Sequence, residues 1–195
     1  MRTIDDILLE INEDKIQNNA TTSNKFKKDV WDYFQGFNDK VAVEFGTHKG
    51  QTTKVMSYLF KTVYTINNND NLPAKELNKD IDNITYINFN LYSGRPLPIN
   101  DTIDVFLIDA GHMYEDVISD FHLATSSVCA EDCYIIFDDY GCNVHEHGVR
   151  KAVDDLVKAG AISIVKEVGH ETGYDFGRNK ILDLSEGLIT KVIWH

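Results

Sequence analysis

The stretch Val41-Ala-Val-Glu-Phe-Gly-Thr-His-Lys-Gly50 decides how the chain is read. An apolar, β-branched run closes on Glu44-x-Gly46, and Gly50 follows four residues later, ahead of Gln51-Thr52-Thr53. That order predicts a buried strand turning directly into a helix. Glycines in such a turn remove Cβ atoms that would block a ligand, and the free N–H groups at the helix start favour electronegative ligand atoms. The turn is read as a cofactor cradle, although a plain strand-to-helix turn with no ligand has the same pattern. A dinucleotide fingerprint needs Gly-x-Gly-x-x-Gly, and this stretch has only two of the three glycines.

Outward from this turn, β-type and helical segments alternate from Lys40 onward, which argues for an α/β fold with a parallel sheet and helices on both faces. The strand candidates are Val41 to Phe45, Thr62 to Ile66, Ile84 to Asn88, Ile103 to Ile108, Tyr134 to Asp138 and Ile162 to Val168. Helices are predicted between them at Thr52 to Phe60, Ala74 to Lys79, Tyr114 to Ser127 and Val149 to Ala159. After Gly169, Gly177 to Leu184 and Leu188 to Ile193 read as terminal strands joined by a tight turn at Ser185-Glu186-Gly187. Before Lys40, Thr3 and Asp6 suit a capping box for a helix carrying Ile4, Ile7, Leu8 and Ile11 on one face. The polar segment Asn18 to Asn24 breaks the pattern, and a second helix follows with Phe26, Val30, Trp31 and Phe34. The expectation is a single domain over residues 1–195, with a helical lid at 1–39 and the sheet-containing core at 40–195. The first helices suit a lid or a dimer contact equally well.

Composition excludes several classes. Nineteen basic residues against 31 acidic give a net charge of −12, which repels a phosphate backbone, so nucleic acid is not an expected partner. No apolar run approaches the ~20 residues needed to span a bilayer, and the first residues lack the apolar core of a signal peptide. A cytoplasmic protein with no membrane partner is expected. Three cysteines, Cys129, Cys133 and Cys142, form neither an even set nor a metal knuckle, so they are read as reduced and mostly buried.

In open α/β sheets, ligands bind beyond the carboxyl ends of the strands. There the fourth strand ends Asp109-Ala-Gly-His112-Met-Tyr114-Glu115 and the fifth Asp138-Asp139-Tyr140-Gly141. Adjacent carboxylates after an apolar run repel one another in a partly desolvated site, and a divalent cation resolves that repulsion. Asp109, Asp138 and Asp139 form an all-oxygen set suited to Mg²⁺ or Mn²⁺. Helix and turn capping explains one of the three comfortably and all three less well. His112, with an ordinary pKa of ~6.5, stands three residues after one of these ligands and suits a general base. His145-Glu146-His147 reads as a solvated or substrate-facing rim rather than a metal site. Tyr114, Tyr140 and Trp31 are the aromatic candidates for stacking on a ligand.

Together, Glu44-Phe-Gly46-Thr-His-Lys-Gly50, Asp109-Ala-Gly-His112-Met-Tyr114-Glu115, Asp138-Asp139-Tyr140 and Gly148-Val149-x-x-Ala152-Val153 resemble the metal-dependent class I S-adenosylmethionine methyltransferases that act on sugar hydroxyls. The resemblance spans roughly Val41 to Val168. It implies a Rossmann-like, doubly wound sheet of about seven strands, mostly parallel with an antiparallel terminal strand. It also implies S-adenosylmethionine as cofactor, with Glu44, Gly46, Thr47, Gly50, Thr52, Asn67, Asn90 and Asp109 as its binding positions. Mg²⁺ (or Mn²⁺) falls on Asp109, Asp138 and Asp139, the general base on His112, and acceptor contacts on Tyr114, Tyr140, His145 and His147. The acceptor would be a sugar or glycan. The chain departs from the family after the second strand, where Asn67-Asn68-Asn69-Asp70 replaces the usual acidic residue for the ribose hydroxyls. Asn67 can bond a hydroxyl without charge assistance, and Asp70 would substitute if the turn were longer. Two rival readings are a catechol-type O-methyltransferase, because a vicinal aromatic diol also chelates Mg²⁺, and a non-catalytic nucleotide-binding or assembly module of the same fold.

Overall fold

Every strand runs through a β-branched or aromatic segment, and seven of them pair into one sheet. The computed structural model describes residues 2–13, 21–175 and 180–194. Helices α1 (Ile4–Glu13) and α2 (Asn24–Phe34) precede β1 (Val41–Phe45), α3 (Gln51–Leu59), β2 (Thr62–Asn67), α4 (Leu72–Leu77) and β3 (Ile84–Asn88). Then come β4 (Ile103–Ile108), α5 (Tyr114–Ser127), β5 (Cys129–Phe137), α6 (Lys151–Lys158), β6 (Ile162–Val168) and β7 (Gly187–Val192). The order across the sheet is β3-β2-β1-β4-β5-β7-β6. β1 to β5 are parallel, and β7 runs antiparallel to both β5 and β6. This is the Rossmann-like, doubly wound arrangement, with the strand order reversing between β1 and β4.

Two apolar layers cover the sheet. One packs α1, α2 and α3 on the face carrying Ala42, Val63, Ile136 and Ile189, with Ile7, Phe26 and Phe34 fully buried. The other packs α5 and α6 over Val43, Phe45, Phe106 and Ile135, with Val117, Phe121 and Ala124 of α5 facing inward. The predicted capping box closes α1: the Thr3 amide donates to Asp6 Oδ2 at 2.9 Å and the Asp6 amide to Thr3 Oγ1 at 3.2 Å. The N-terminal helices thus form a layer of the core, and among their described neighbours only Thr21, just before α2, reaches the large cavity of the molecule. The three cysteines carry free thiols, Cys133 and Cys142 buried and Cys129 half-buried.

Two expectations about the C-terminal third need correction. The strand expected at Gly177 to Leu184 lies partly outside the described residues, and its described part makes only isolated bridges, Asp175 to Ile181 and Cys142 to Leu182. Ser185-Glu186-Gly187 is not a tight hairpin turn. Glu186 is buried and accepts from the Ser23 amide (2.8 Å), the Ser23 hydroxyl (2.6 Å) and the His170 amide (3.0 Å), so it ties the start of α2 to the far end of the chain. The β5 strand is also longer than expected, because Cys129 pairs with Ile103 across an irregularity before the regular ladder from Tyr134.

Candidate active site

The carboxyl ends of β1 to β5 open onto a cavity of about 520 Å³. Gly46 ends β1 with φ +97°, and a Cβ there would lie 2.0 Å from the Asp109 carbonyl oxygen. The glycine therefore lets the first and fourth strand ends approach as well as keeping the cavity wall open. Gly50 has a different role from the one expected. A Cβ on it would lie 2.7 Å from that of Ala74, so it lets α3 pack on α4, and it does not line the cavity.

Glu44 and the threonines lie beneath the turn. Glu44 is buried and accepts from the hydroxyls of Thr53 and Thr65, the latter at 2.6 Å. Burial pushes its carboxyl up to about 7, against the opposing hydrogen bonds. Thr47 pairs with Thr65 (2.6 Å) and Thr52 with Thr22 (2.9 Å), and none of Glu44, Thr47 and Thr52 lines the cavity. These residues brace the turn from below, whereas direct cofactor contact was expected of them.

Asn67, Asn68, Asn69 and Asn90 do line the cavity, together with Phe89, Leu91, Tyr92 and Asp116. Asn67 donates to Asn69 Oδ1 (2.8 Å) and Asn71 Oδ1 (2.6 Å), so its amide is held by its neighbours. Asp70 pairs with Lys75 at 2.5 Å and does not line the cavity.

At the other end of the cavity Asp109, His112, Asp138 and Asp139 come together. His112 Nε2 is 3.0 Å from Asp139 Oδ2 and 3.9 Å from Asp109 Oδ1. Asp139 adopts a left-handed backbone (φ +57°), one of two non-glycine residues with positive φ among those described. The other, His48 (φ +45°), also lines the cavity. Such conformations cluster where surrounding structure holds side chains in working positions.

The electrostatics follow from the crowding. Burial, then the Asp139 charge, pushes the Asp109 carboxyl up to about 8. Burial and the neighbouring Asp109 and Asp139 push Asp138 well above the carboxylate range. At Asp139 burial is outweighed by the hydrogen bond and charge of His112, and the carboxyl is held below its ordinary value. The same hydrogen bond raises the pKa of His112. Among the described residues Asp138 Oδ1 is buried with no hydrogen-bond partner. A buried, unpartnered carboxylate oxygen among mutually repelling carboxylates fits a divalent cation. Among the described residues the ligand atoms within 4.8 Å of one another belong to His112, Asp139 and His145, and Asp109 and Asp138 line the cavity with them.

The expected aromatic and histidine contacts divide. The Tyr114 hydroxyl donates to Asp155 Oδ2 (3.1 Å) and that of Tyr140 to Asp154 Oδ1 (2.9 Å), so both rings are tied to α6 and do not line the cavity. Trp31 packs against the α1–α3 layer. His147 is 93% exposed beside Glu146, whereas His145 turns inward, its ring stacked on His112 at 4.5 Å between centroids.

Two buried residues were not anticipated. Lys27 of α2 is 1% exposed and donates to the Thr22 carbonyl. Burial pushes its ammonium down to about 8, against the opposing charges of Asp138, Glu186, Asp109 and Glu44. The helical spacing Lys27, Val30, Phe34 was the available signal, since it places the lysine on the inward stripe. For Glu186 no local signal exists.

A strand-order reversal lined by a glycine turn and strand-end carboxylates defines a Rossmann-like ligand-binding enzyme fold. Residues 43–140 match the family described as methyltransferase domain, and the chain belongs to that family. It is 31% identical over 149 residues to the uncharacterized protein R132 of Acanthamoeba polyphaga mimivirus; the match covers 69% of this chain and 63% of that protein's length. Its fold is similar to that of an O-methyltransferase from Bacillus cereus solved in complex with SAH. That likeness has a TM-score of 0.67 at 16% identity and covers 98% of this chain and 90% of the other. The N-methyltransferase NodS from Bradyrhizobium japonicum is similar with a TM-score of 0.59 at 13% identity, covering 87% and 96%. At such identities the likeness establishes the fold alone.

Proposed function

We propose that this chain transfers the methyl group of S-adenosylmethionine to a hydroxyl of a sugar or glycan, with a divalent cation, Mg²⁺ or Mn²⁺, at Asp109, Asp138 and Asp139. The observation that carries this reading is one cavity lined by Asp109, Asp138, Asp139 and His112, with His112 3.0 Å from Asp139 and 3.9 Å from Asp109, and also by asparagine amides and apolar side chains. The side chains of Asn68 and Asn69 suit ribose hydroxyls, with Asn67 bracing Asn69 and Asn71 beside them, and Phe89 and Leu91 suit a flat base. A divalent ion bound at the carboxylates would lower the pKa of a sugar hydroxyl and fix its direction.

The protein's own part is to orient the acceptor oxygen towards the methyl group and to take up its proton as the carbon–oxygen bond forms and the carbon–sulfur bond breaks. We assign the proton-accepting role to His112, whose ring Asp139 holds at Nε2. The test is mass spectrometry of candidate glycans and nucleotide sugars incubated with protein, S-adenosylmethionine and Mg²⁺ or Mn²⁺. A gain of one methyl group is expected. Asp138→Ala should lower the rate by at least about 100-fold on the scale of lost electrostatic stabilisation. A wild-type rate from that variant in the presence of chelator would refute the role of the cation.

A further inference from the structure

The two histidines around Asp139 make different contacts with the same oxygen. His112 Nε2 lies 3.0 Å from Asp139 Oδ2, the length of an N–H···O hydrogen bond. His145 Nε2 lies 3.5 Å from that oxygen, beyond the usual hydrogen-bond range of ~2.7–3.2 Å. Two donors each ~2.1 Å from one ion stand roughly 3.0 Å apart in an octahedral shell and roughly 3.4 Å apart in a tetrahedral one. Both histidine–Asp139 spacings therefore fall in the range of two donors sharing one ion. One ligand atom from each of His112, Asp139 and His145 lies within 4.8 Å of the other two.

His145 is also held in place. It ends a 3-10 turn, Asn143–His145, and its ring is stacked on His112 with planes 20° apart. The π-helical turn that follows, Glu146–Arg150, presses Gly148 against the His112 carbonyl, fixing the two imidazoles relative to each other. Asp138, adjacent to Asp139, keeps its buried Oδ1 unpartnered among the described residues.

We infer that His145 is a nitrogen ligand to the divalent ion held by the carboxylates, which makes the site select a transition-series ion such as Mn²⁺ over Mg²⁺. This rests on the carboxylate reading above and replaces the expected role of His145 as an acceptor contact. Imidazole suits borderline first-row metals, whereas Mg²⁺ prefers an all-oxygen, water-rich shell. His147, turned to solvent, has no part in the site.

The test uses the full-length, metal-stripped protein and needs no acceptor. Binding of Mn²⁺ is measured from the free-ion EPR signal, and binding of Mg²⁺ by competition, for wild type, His145→Ala, His145→Gln and Asp138→Ala. Wild type is expected to bind Mn²⁺ at least about tenfold more tightly than Mg²⁺, in line with ligand softness. Both His145 variants should lose roughly 10- to 100-fold in Mn²⁺ affinity and keep their Mg²⁺ affinity within about twofold. Pulsed EPR of the Mn²⁺-loaded protein should show a ¹⁴N coupling in wild type that is absent from His145→Ala. A ¹⁴N coupling that persists in the variants, Mn²⁺ affinity that does not change, or parallel losses for both ions would overturn the assignment. The underlying reading fails separately: wild type would then bind neither ion. If Asp138→Ala loses both ions while the His145 variants lose neither, the carboxylate reading stands and the histidine ligand does not.

Discussion

Individual side chains in this molecule are defined by what faces them, and Glu44 shows the consequence for pH. Its carboxyl is raised from an ordinary 4.5 to about 7 because it is buried, with only the Thr53 and Thr65 hydroxyls to favour the charged form. Because the folded-state pKa is the higher one, the group's contribution is full below about pH 4.5 and is lost as pH rises through about 7. The loss is on the order of 3 kcal/mol. Glutamine reproduces the neutral form and can still accept from both threonines. Glu44→Gln should therefore lose less stability than wild type between pH 5 and pH 8, as read by calorimetric melting across that range. That Asp109, His112, Asp138 and Asp139 line the cavity was legible because they follow the ends of apolar strands, where a charged group has few structural uses. That Tyr114 and Tyr140 are tied to α6 and do not line the cavity was not legible, because the direction of a ring depends on its partner, here Asp155 and Asp154, and no spacing rule encodes that partner.

At the scale of elements, short turns at strand ends set the positions of the reactive groups. Gly148 lies in the π-helical turn before α6, where a Cβ would stand 1.9 Å from the His112 carbonyl oxygen. Gly148→Ala must therefore push the turn and the β4–α5 loop apart, at a cost of about 1–3 kcal/mol for overpacking. The expected outcome is a modest fall in melting temperature with loss of most methyl transfer, because the His112–His145 stack moves while the sheet remains. Comparing calorimetry with the mass-spectrometric assay separates the two effects. The strands themselves were well placed by pattern alone: β1, β3, β4 and β6 begin and end where their β-branched runs do. The segment before β7 was misplaced. Glu186 looks like a turn residue until Ser23 and His170 are seen to donate to it from distant parts of the chain.

For the whole molecule, the N-terminal helices are the informative case. Ile7, Leu8, Ile11, Phe26, Val30 and Phe34 are buried in one layer with Val55, Met56 and Leu59 of α3 and with sheet residues. Each such side chain contributes about 1.5–3 kcal/mol on burial, far more in sum than a domain of this size has to spare. A chain beginning at residue 40 is therefore expected to be insoluble or to bind the dye ANS strongly, and not to fold with an open cavity. Recovery of a soluble, cooperatively melting 40–195 fragment would show that the layer is a removable lid. Sequence by itself determined the α/β class, most strand positions and the carboxylates at the strand ends, because these depend on local periodicity and on where polar residues interrupt apolar runs. The tertiary structure alone decided the order β3-β2-β1-β4-β5-β7-β6, the burial of Lys27 and Glu186, and which histidine of His145-Glu146-His147 turns inward. Those depend on pairing between residues far apart in the chain, which settles side-chain direction only once the layers have packed.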